Sequence, residues 1–189
     1  YTTLYHLIFV VKIKIIMNVL ILGNSLTSVT LAKMLVNNGI KVDIFSNKKT
    51  KKYNRIQTLG ISKTNVEFFN KNILNIKKFL WNIDEIEIYS ENLKNEKILN
   101  FENKENNLFF MARNYDLYNH LLLSLKKDKL IEFKKNTEHQ NLEKNNYDLI
   151  FNCDHLNLVY KKFFFRKINK NYKSFAHITT FTHKKISNN

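Results

Sequence analysis

Asn18-Val-Leu-Ile-Leu22, then Gly23-Asn-Ser-Leu-Thr27, then Ile40-Lys-Val-Asp-Ile-Phe45 are the stretches on which the fold of this chain turns. The first is a short continuous apolar run, the signature of a strand buried on both faces. The second opens on a glycine and leads into Leu26 to Asn38, where Leu26, Val29, Ala32, Leu35 and Val36 recur at helical spacing. Gly39 stands where a left-handed C-terminal cap belongs. The third alternates and is rich in β-branched residues, so it is a second strand. The whole is a strand-helix-strand unit of about 30 residues, for which a right-handed crossover and a parallel sheet are expected.

Downstream, a polar stretch from Ser46 to Asn54 precedes Arg55-Ile-Gln-Thr-Leu-Gly60, and Lys63 to Asn72 has the pattern of a helix. The texture then changes. Ile83 to Tyr89, Lys97 to Phe101 and Leu108 to Met111 are short strands between Asn/Lys/Glu turns, the look of an antiparallel excursion. Tyr115 to Lys126 returns to helix, with Leu117, His120, Leu121 and Leu125 on one face. Leu130 to Phe133 and Tyr147 to Phe151 are strands again, the latter a buried central one by its apolar run, and Ser174 to His183 is one more. Upstream, Leu4 to Leu22 is nearly all apolar, but Lys12 and Lys14 sit in its middle, where burial in hydrocarbon costs about 2.5 to 3.5 kcal/mol each. A spanning helix is therefore rejected, and no small-residue cleavage site marks a secretory signal. Residues 1 to 16 are set apart as an upstream extension or remnant, and residues 17 to 189 are taken as the domain.

With 189 residues, 44% hydrophobic, the chain can build one core, or a domain plus part of a second. Its formal charge is +15, yet only Arg55, Arg113 and Arg166 are arginine and the lysines run from Lys12 to Lys185. A phosphate-binding surface clusters its cations and favours arginine. The lysine excess, alongside no proline and three glycines, is a global bias in residue usage rather than the mark of a nucleic-acid partner. One cysteine, Cys153, excludes an intramolecular disulfide and a Cys-based zinc site, and points by default to a reducing, cytoplasmic setting. Cys153 is read as a small buried residue rather than a nucleophile. His6, His120, His139, His177 and His183 show no metal-ligand spacing, and Trp81 and Phe163 to Phe165 are assigned to the core.

A strand, a glycine turn and a helix form the device that holds a dinucleotide diphosphate against unpaired N–H groups and the positive end of a helix dipole. The usual spacing is G-x-G-x-x-G, and here the three positions are Gly23, Ser25 and Ser28. Gly23 keeps the tight turn. Ser25 adds a Cβ where backbone should approach phosphate, while its hydroxyl and that of Ser28 are potential donors. The acidic residue expected about 20 positions on is absent: Ser46 stands at 46 − 23 = 23, and Asp43 points to the other face by alternation.

Met17-Asn-Val-Leu-Ile-Leu-Gly-Asn-Ser25, Ile40 to Ser46 and Asn54-Arg-Ile-Gln-Thr-Leu-Gly-Ile-Ser62 together resemble the FAD-dependent aromatic hydroxylases of ubiquinone biosynthesis. These are flavin monooxygenases related to para-hydroxybenzoate hydroxylase. Arg55, Leu59 and Ser62 match an arginine and "alanine-leucine-x-x-serine" stretch of that family, and Trp81 echoes the tryptophan that opens its next strand pair. Arg113-Asn-Tyr-Asp-Leu117 with Leu121 resembles the helix lying along the cofactor. Tyr147-Asp-Leu-Ile-Phe-Asn-Cys-Asp154 sits where the family has "aspartate-leucine-x-x-x-alanine-aspartate-glycine", with His155 in place of that glycine. The order agrees from Met17 to His183.

The resemblance implies an α/β, Rossmann-like FAD/NAD(P)-binding fold whose parallel sheet is interrupted by antiparallel strands, with 83–113 and 172–189 contributing to a substrate domain. It implies that Gly23, Asn24, Ser25, Leu26, Thr27 and Ser28 meet the diphosphate and that Ser46 takes the ribose position. Arg55 and Arg113 would bind the phosphate or ribityl side, and Asp154 would support the cofactor. The implied reaction passes one oxygen atom of dioxygen to a polyprenyl phenol, with NAD(P)H as a candidate electron donor and peripheral membrane contact through the greasy substrate. No catalytic side chain is named, because the ring-binding half of such enzymes lies beyond these motifs; the chain is expected to be the N-terminal part of a longer enzyme, or a decayed copy. Two other classes stay open: a nicotinamide-dependent Rossmann oxidoreductase, and a non-catalytic basic module that holds RNA.

Overall fold

The computed structural model describes residues 17–46, 57–102, 108–135, 147–154 and 170–175. Strand β1 (Asn18–Leu22), helix α1 (Leu26–Asn37) and strand β2 (Lys41–Ser46) form the strand-helix-strand unit that the sequence predicts. After them come β3 (Thr58–Ile61), α2 (Lys63–Asn72), β4 (Trp81–Ile83), β5 (Glu85–Ser90), β6 (Glu96–Glu102), β7 (Phe109–Arg113), α3 (Asn114–Leu125), β8 (Ile131–Lys135) and β9 (Leu149–Asn152).

Four strands make a parallel sheet in the order β8-β2-β1-β9, so the two strands earliest in the chain lie at its centre. The register sets Val19 beside Val42 and Ile21 beside Ile44, which aligns one apolar face across the sheet. Against that face α1 lays Val29, Ala32 and Val36, and α3 lays Tyr118, Leu121 and Leu125. Val19, Ile21, Val29, Val42, Leu121 and Leu125 are all wholly buried. Burying each such side chain contributes about 1.5–3 kcal/mol, so this helix-covered layer is the main source of stability. On the opposite face Leu20 and Leu22 pack with Phe45 and Tyr147.

Helix α1 ends where the sequence places its stop: Gly39 adopts φ +77, and Asn38 and Gly39 donate to the carbonyls of Leu35 and Val36. The Asn37 amide then donates to the carbonyls of Asn72 and Ile73 at 3.1 and 2.7 Å, tying the end of α1 to the end of α2. A second core of Ile76, Ala112 and Leu117 links α3 to a three-stranded antiparallel sheet ordered β3-β7-β4. Leu26 packs against both cores, so the first residue of α1 is held from two sides.

Three expectations are corrected. Ile83 to Tyr89 is not one strand: the chain passes from β4 to β5 at Asp84, and the two halves pair with different partners, β7 and β6. Tyr147 to Phe151 is not a buried central strand; β9 is last in the described sheet, and Leu149 and Ile150 are 44% and 43% exposed, because among the described residues only β1 flanks it. Trp81 is not core, being 47% exposed. Strand β3 was not foreseen, since four residues with a central glycine carry little strand pattern. Residues 1–16 and Phe163 to Phe165 lie outside the described residues, as does nearly all of Ser174 to His183; its first two residues, Ser174 and Phe175, are exposed and in no strand. Among the described residues no helix is long and apolar enough to cross a membrane.

Candidate functional site

The carboxyl ends of β1, β2 and β9 meet at one edge of the parallel sheet, and the amino end of α1 begins there. That is the crevice in which open α/β sheets take their ligands. Two backbone bonds draw the strands together: the Gly23 N–H donates to the Phe45 carbonyl at 2.8 Å, and the Cys153 N–H donates to the Leu22 carbonyl at 2.8 Å. The first brings Ser46, the next residue along, to the side of the loop. The second brings Asp154.

Gly23 has φ +109, a conformation open to glycine and strained for any other residue. A Cβ there would lie 3.0 Å from the Asp154 Cβ and 3.2 Å from its backbone nitrogen. The glycine is thus required twice, by its own backbone and by the close passage of β9. Asp154 itself is fixed by an N–H bond to the Asn152 side-chain carbonyl at 3.1 Å.

The two serines at the remaining glycine positions turn toward each other. Ser25, the N-cap of α1, accepts from the Ser28 N–H at 3.3 Å, and the Ser28 hydroxyl accepts from the Ser25 N–H at 3.1 Å, closing a reciprocal capping box. The two hydroxyls are also 3.1 Å apart. Ser25 sits at φ −100, so glycine is not needed there for conformation, and its loss affects only how near a ligand can come. The N–H groups of Leu26 and Thr27, at the first two helical positions, have no intrahelical acceptor, which is inherent in a helix start. They are the amides the loop offers to an anion.

Helix α3 braces the loop from below, its Tyr118 hydroxyl donating to the Asn24 side-chain carbonyl at 2.7 Å. Burial raises the Tyr118 pKa, which keeps this donor protonated. Beside it Cys153 is half-buried; burial pushes its thiol up, against a hydrogen bond with Ser28 that acts the other way.

Of the sequence-predicted residues, Gly23, Asn24, Ser25, Leu26, Thr27, Ser28, Ser46 and Asp154 are brought to this one edge. Arg113 ends β7, and its guanidinium lies over the Trp81 ring at 5.3 Å, a stacked cation at the surface of the antiparallel sheet. Arg55 lies outside the described residues. Sequence reasoning missed the Tyr118–Asn24 brace. Tyr118 lies beside Leu117 and Leu121 on the packed face of α3, but its partner is 94 positions away and leaves no local signal. It also missed the capping box, whose spacing, serine to serine at three positions, was available. Among the described residues no group of three or more His, Cys, Asp or Glu side chains is placed to hold a metal ion.

No protein-family model matches the sequence, and no curated protein matches it closely enough to be called a relative. The fold, however, has solved counterparts. The structure is similar to p-nitrophenol 4-monooxygenase PnpA from Pseudomonas putida (TM-score 0.52, 14% identity, covering 64% of this chain and 32% of that one). It is likewise similar to PqsL of P. aeruginosa in complex with 2-aminobenzoylacetate (TM-score 0.53, 15% identity, covering 63% of this chain and 33% of that one). The architecture is therefore the mixed α/β fold of these two structures, with a four-stranded parallel sheet and antiparallel sheets among the described residues. The chain spans about a third of the length of both structures.

Proposed function

We propose that the crevice at the carboxyl ends of β1, β2 and β9 binds the diphosphate of FAD, and that the chain is the cofactor-binding part of an aromatic monooxygenase. The observation that carries this reading is the convergence of Gly23, the start of α1, Ser46 and Asp154 at one sheet edge. The fold shared with solved monooxygenases and the motif order from Met17 to His183 support it.

The residues present accommodate a diphosphate, with one adjustment. Leu26 and Thr27 offer amides at the positive end of α1, where an anion is favoured. The amides of Ser25 and Ser28 are held by hydroxyl oxygens that a phosphate oxygen would have to displace. A serine cap is worth about 1 kcal/mol, whereas a hydrogen bond to a charged group contributes about 1.5–3 kcal/mol, so the exchange favours the phosphate. Displaced, the hydroxyls free the Ser25 and Ser28 amides to donate beside those of Leu26 and Thr27. Ser46 would meet the ribose, and Tyr118, through Asn24, holds the loop in place.

Bound FAD would supply the transfer of one oxygen atom of dioxygen to an activated ring. This chain's residues contribute binding and orientation. The substrate is assigned as an aromatic small molecule; the polyprenyl phenol of ubiquinone biosynthesis, peripheral membrane contact through it and NAD(P)H as electron donor rest on the motif resemblance alone. The antiparallel strands β4 to β7 are assigned to the beginning of a substrate domain on the same ground.

The test is a titration of the chain with FAD, riboflavin, NADPH and a short RNA, each at 50 and 200 mM salt, read by flavin fluorescence or by tryptophan quenching at Trp81. FAD should bind at least tenfold more tightly than riboflavin, which lacks the diphosphate, and ADP should compete. Equal affinity for FAD and riboflavin would remove the anchor from α1. Preference for NADPH would favour the nicotinamide enzyme, and steeply salt-dependent RNA binding without flavin binding the basic module.

A further inference from the structure

Three strand ends stand in a row at the crevice. Leu22 lies beside Phe45 in the register, which sets Gly23, just past the end of β1, level with Ser46, the last residue of β2. Ser46 in turn lies beside Lys135, the last residue of β8. Neighbouring strands are about 4.8 Å apart, so the row runs outward from the loop in steps of that size. It ends at β8, which is last on that side of the described sheet. A nucleotide held by its diphosphate at the loop places its adenosine ribose at the end of β2. Whatever that ribose carries toward β8 meets the next position in the row.

Charge decides what the ribose position recognises. A carboxylate there accepts from the ribose hydroxyls and repels a phosphate in place of one; a neutral donor next to a cation does the reverse. No carboxylate is at hand. The sequence has no Asp or Glu between Asp43 and Glu67. Asp43 is on the opposite face, buried and bonded to the Lys134 ammonium and the Tyr147 hydroxyl. Glu132, beside Asp43 in the register, shares that ammonium at 3.4 Å. Asp154 belongs to the other side of Gly23, with β9, two strands from Ser46. The alternation that turns Val42 and Ile44 to the helices puts Ser46 on their side, where the row finishes with a serine and a lysine.

We propose that the ribose end of this crevice accepts a 2′-phosphate, with Ser46 donating to it and the positive charge of Lys135 next in the row. The site thereby admits 2′-phosphorylated adenine dinucleotides, the class to which NADP(H) belongs. The proposal rests on the reading of the loop as a diphosphate site and is independent of the redox group that the diphosphate carries. A 2′-phosphate brings roughly two negative charges near neutral pH, which a glutamate at the end of β2 would reject and a serine does not.

ADP-ribose and its 2′-phosphate differ at that position alone and carry no redox group, so calorimetric titration of the full chain with each reads the ribose end by itself. The phosphorylated form should bind at least about threefold more tightly at 50 mM salt, and the margin should narrow at 200 mM as the added charge is screened. Ser46→Glu should invert the order, weakening the phosphorylated form at least about tenfold relative to ADP-ribose, and Lys135→Gln should reduce the margin. Binding of ADP-ribose with equal or weaker binding of its 2′-phosphate overturns the proposal and leaves the diphosphate reading intact. An undiminished preference in Ser46→Glu also overturns it, because the phosphate then lies elsewhere. Binding of neither nucleotide overturns both readings. A preference for the phosphorylated form in a chain that fails to bind FAD upholds the proposal and removes the flavin.

Discussion

The parallel sheet and the β5–β6 hairpin use similar residues to opposite ends. In β1, Val19 to Leu22 are at most 1% exposed; in β6 every residue is exposed, although Ile98, Leu99 and Phe101 are as apolar as anything in β1. The difference is cover. Two helices from neighbouring stretches of chain close over one face of the sheet, and nothing among the described residues closes over the hairpin. Hydrophobic residues create a demand for burial; only topology meets it.

The largest effect expected within the sheet comes from a charge rather than a hydrocarbon. Asp43, on the face away from the helices, is buried, with one carboxylate oxygen accepting from the Lys134 ammonium at 2.7 Å and from the Tyr147 hydroxyl at 2.6 Å. Its other oxygen has no hydrogen-bond partner among the described residues. Lys134→Met removes the counter-charge and leaves the carboxylate buried, which would cost about 3–5 kcal/mol in a fully buried pair and less here because Lys134 is 34% exposed. Urea unfolding at pH 7 measures it, and a loss under 1 kcal/mol would show that water, not protein, surrounds this carboxylate.

The same cluster gives the pH dependence. Burial, then the bond to Asp43, pushes the Tyr147 hydroxyl from its ordinary 10 up to about 12, and the bond to Asp43 raises the Lys134 ammonium above its ordinary 10.5. Both groups are held in their protonated forms by the fold. Their stabilisation is complete below pH 10 and is lost as the pH climbs from about 10 through 12. The urea midpoint should therefore fall between about pH 10 and 12 in the wild type and fall less in Lys134→Met.

These predictions locate what could be read from sequence and what could not. The apolar run of β1, the spacing of α1 and the glycine at 39 are local signals, and local signals gave the parallel sheet, both main helices and the edge where Gly23 and Ser46 lie. The buried network at Asp43 joins residues 91 and 104 positions apart, and the brace from Tyr118 to Asn24 spans 94. Such bonds are decided by how elements stack, which no periodicity encodes. Alternation did turn Asp43 away from the ribose position, but it gave no sign of its partners. Trp81 and β9 were misread for the same reason: apolar content predicts burial only where something arrives to bury it.

A direct comparison of the two regions is a pair of truncations. Leu121→Ala empties a wholly buried site between α3 and the sheet and should cost about 2–5 kcal/mol. Leu99→Ala, on the open face of the hairpin, should cost about 0.5 kcal/mol or less if that face is solvated. A cost above 1 kcal/mol at Leu99 would mean the face is covered.

The smallest effect separates stability from binding at the loop. Ser28→Ala removes the hydroxyl that accepts from the Ser25 N–H while leaving the Ser25 cap in place. The fold should lose about 1 kcal/mol, since one capping bond goes and the helix start is otherwise unchanged. Affinity for FAD should hold or rise, because the freed Ser25 amide turns from a satisfied group into a third donor beside those of Leu26 and Thr27. A loss of FAD affinity together with stability would mean that the serine hydroxyls are the phosphate ligands and the amides are not. The two outcomes differ in sign, so a titration paired with a urea curve on this single variant decides whether the capping box competes with the ligand or receives it.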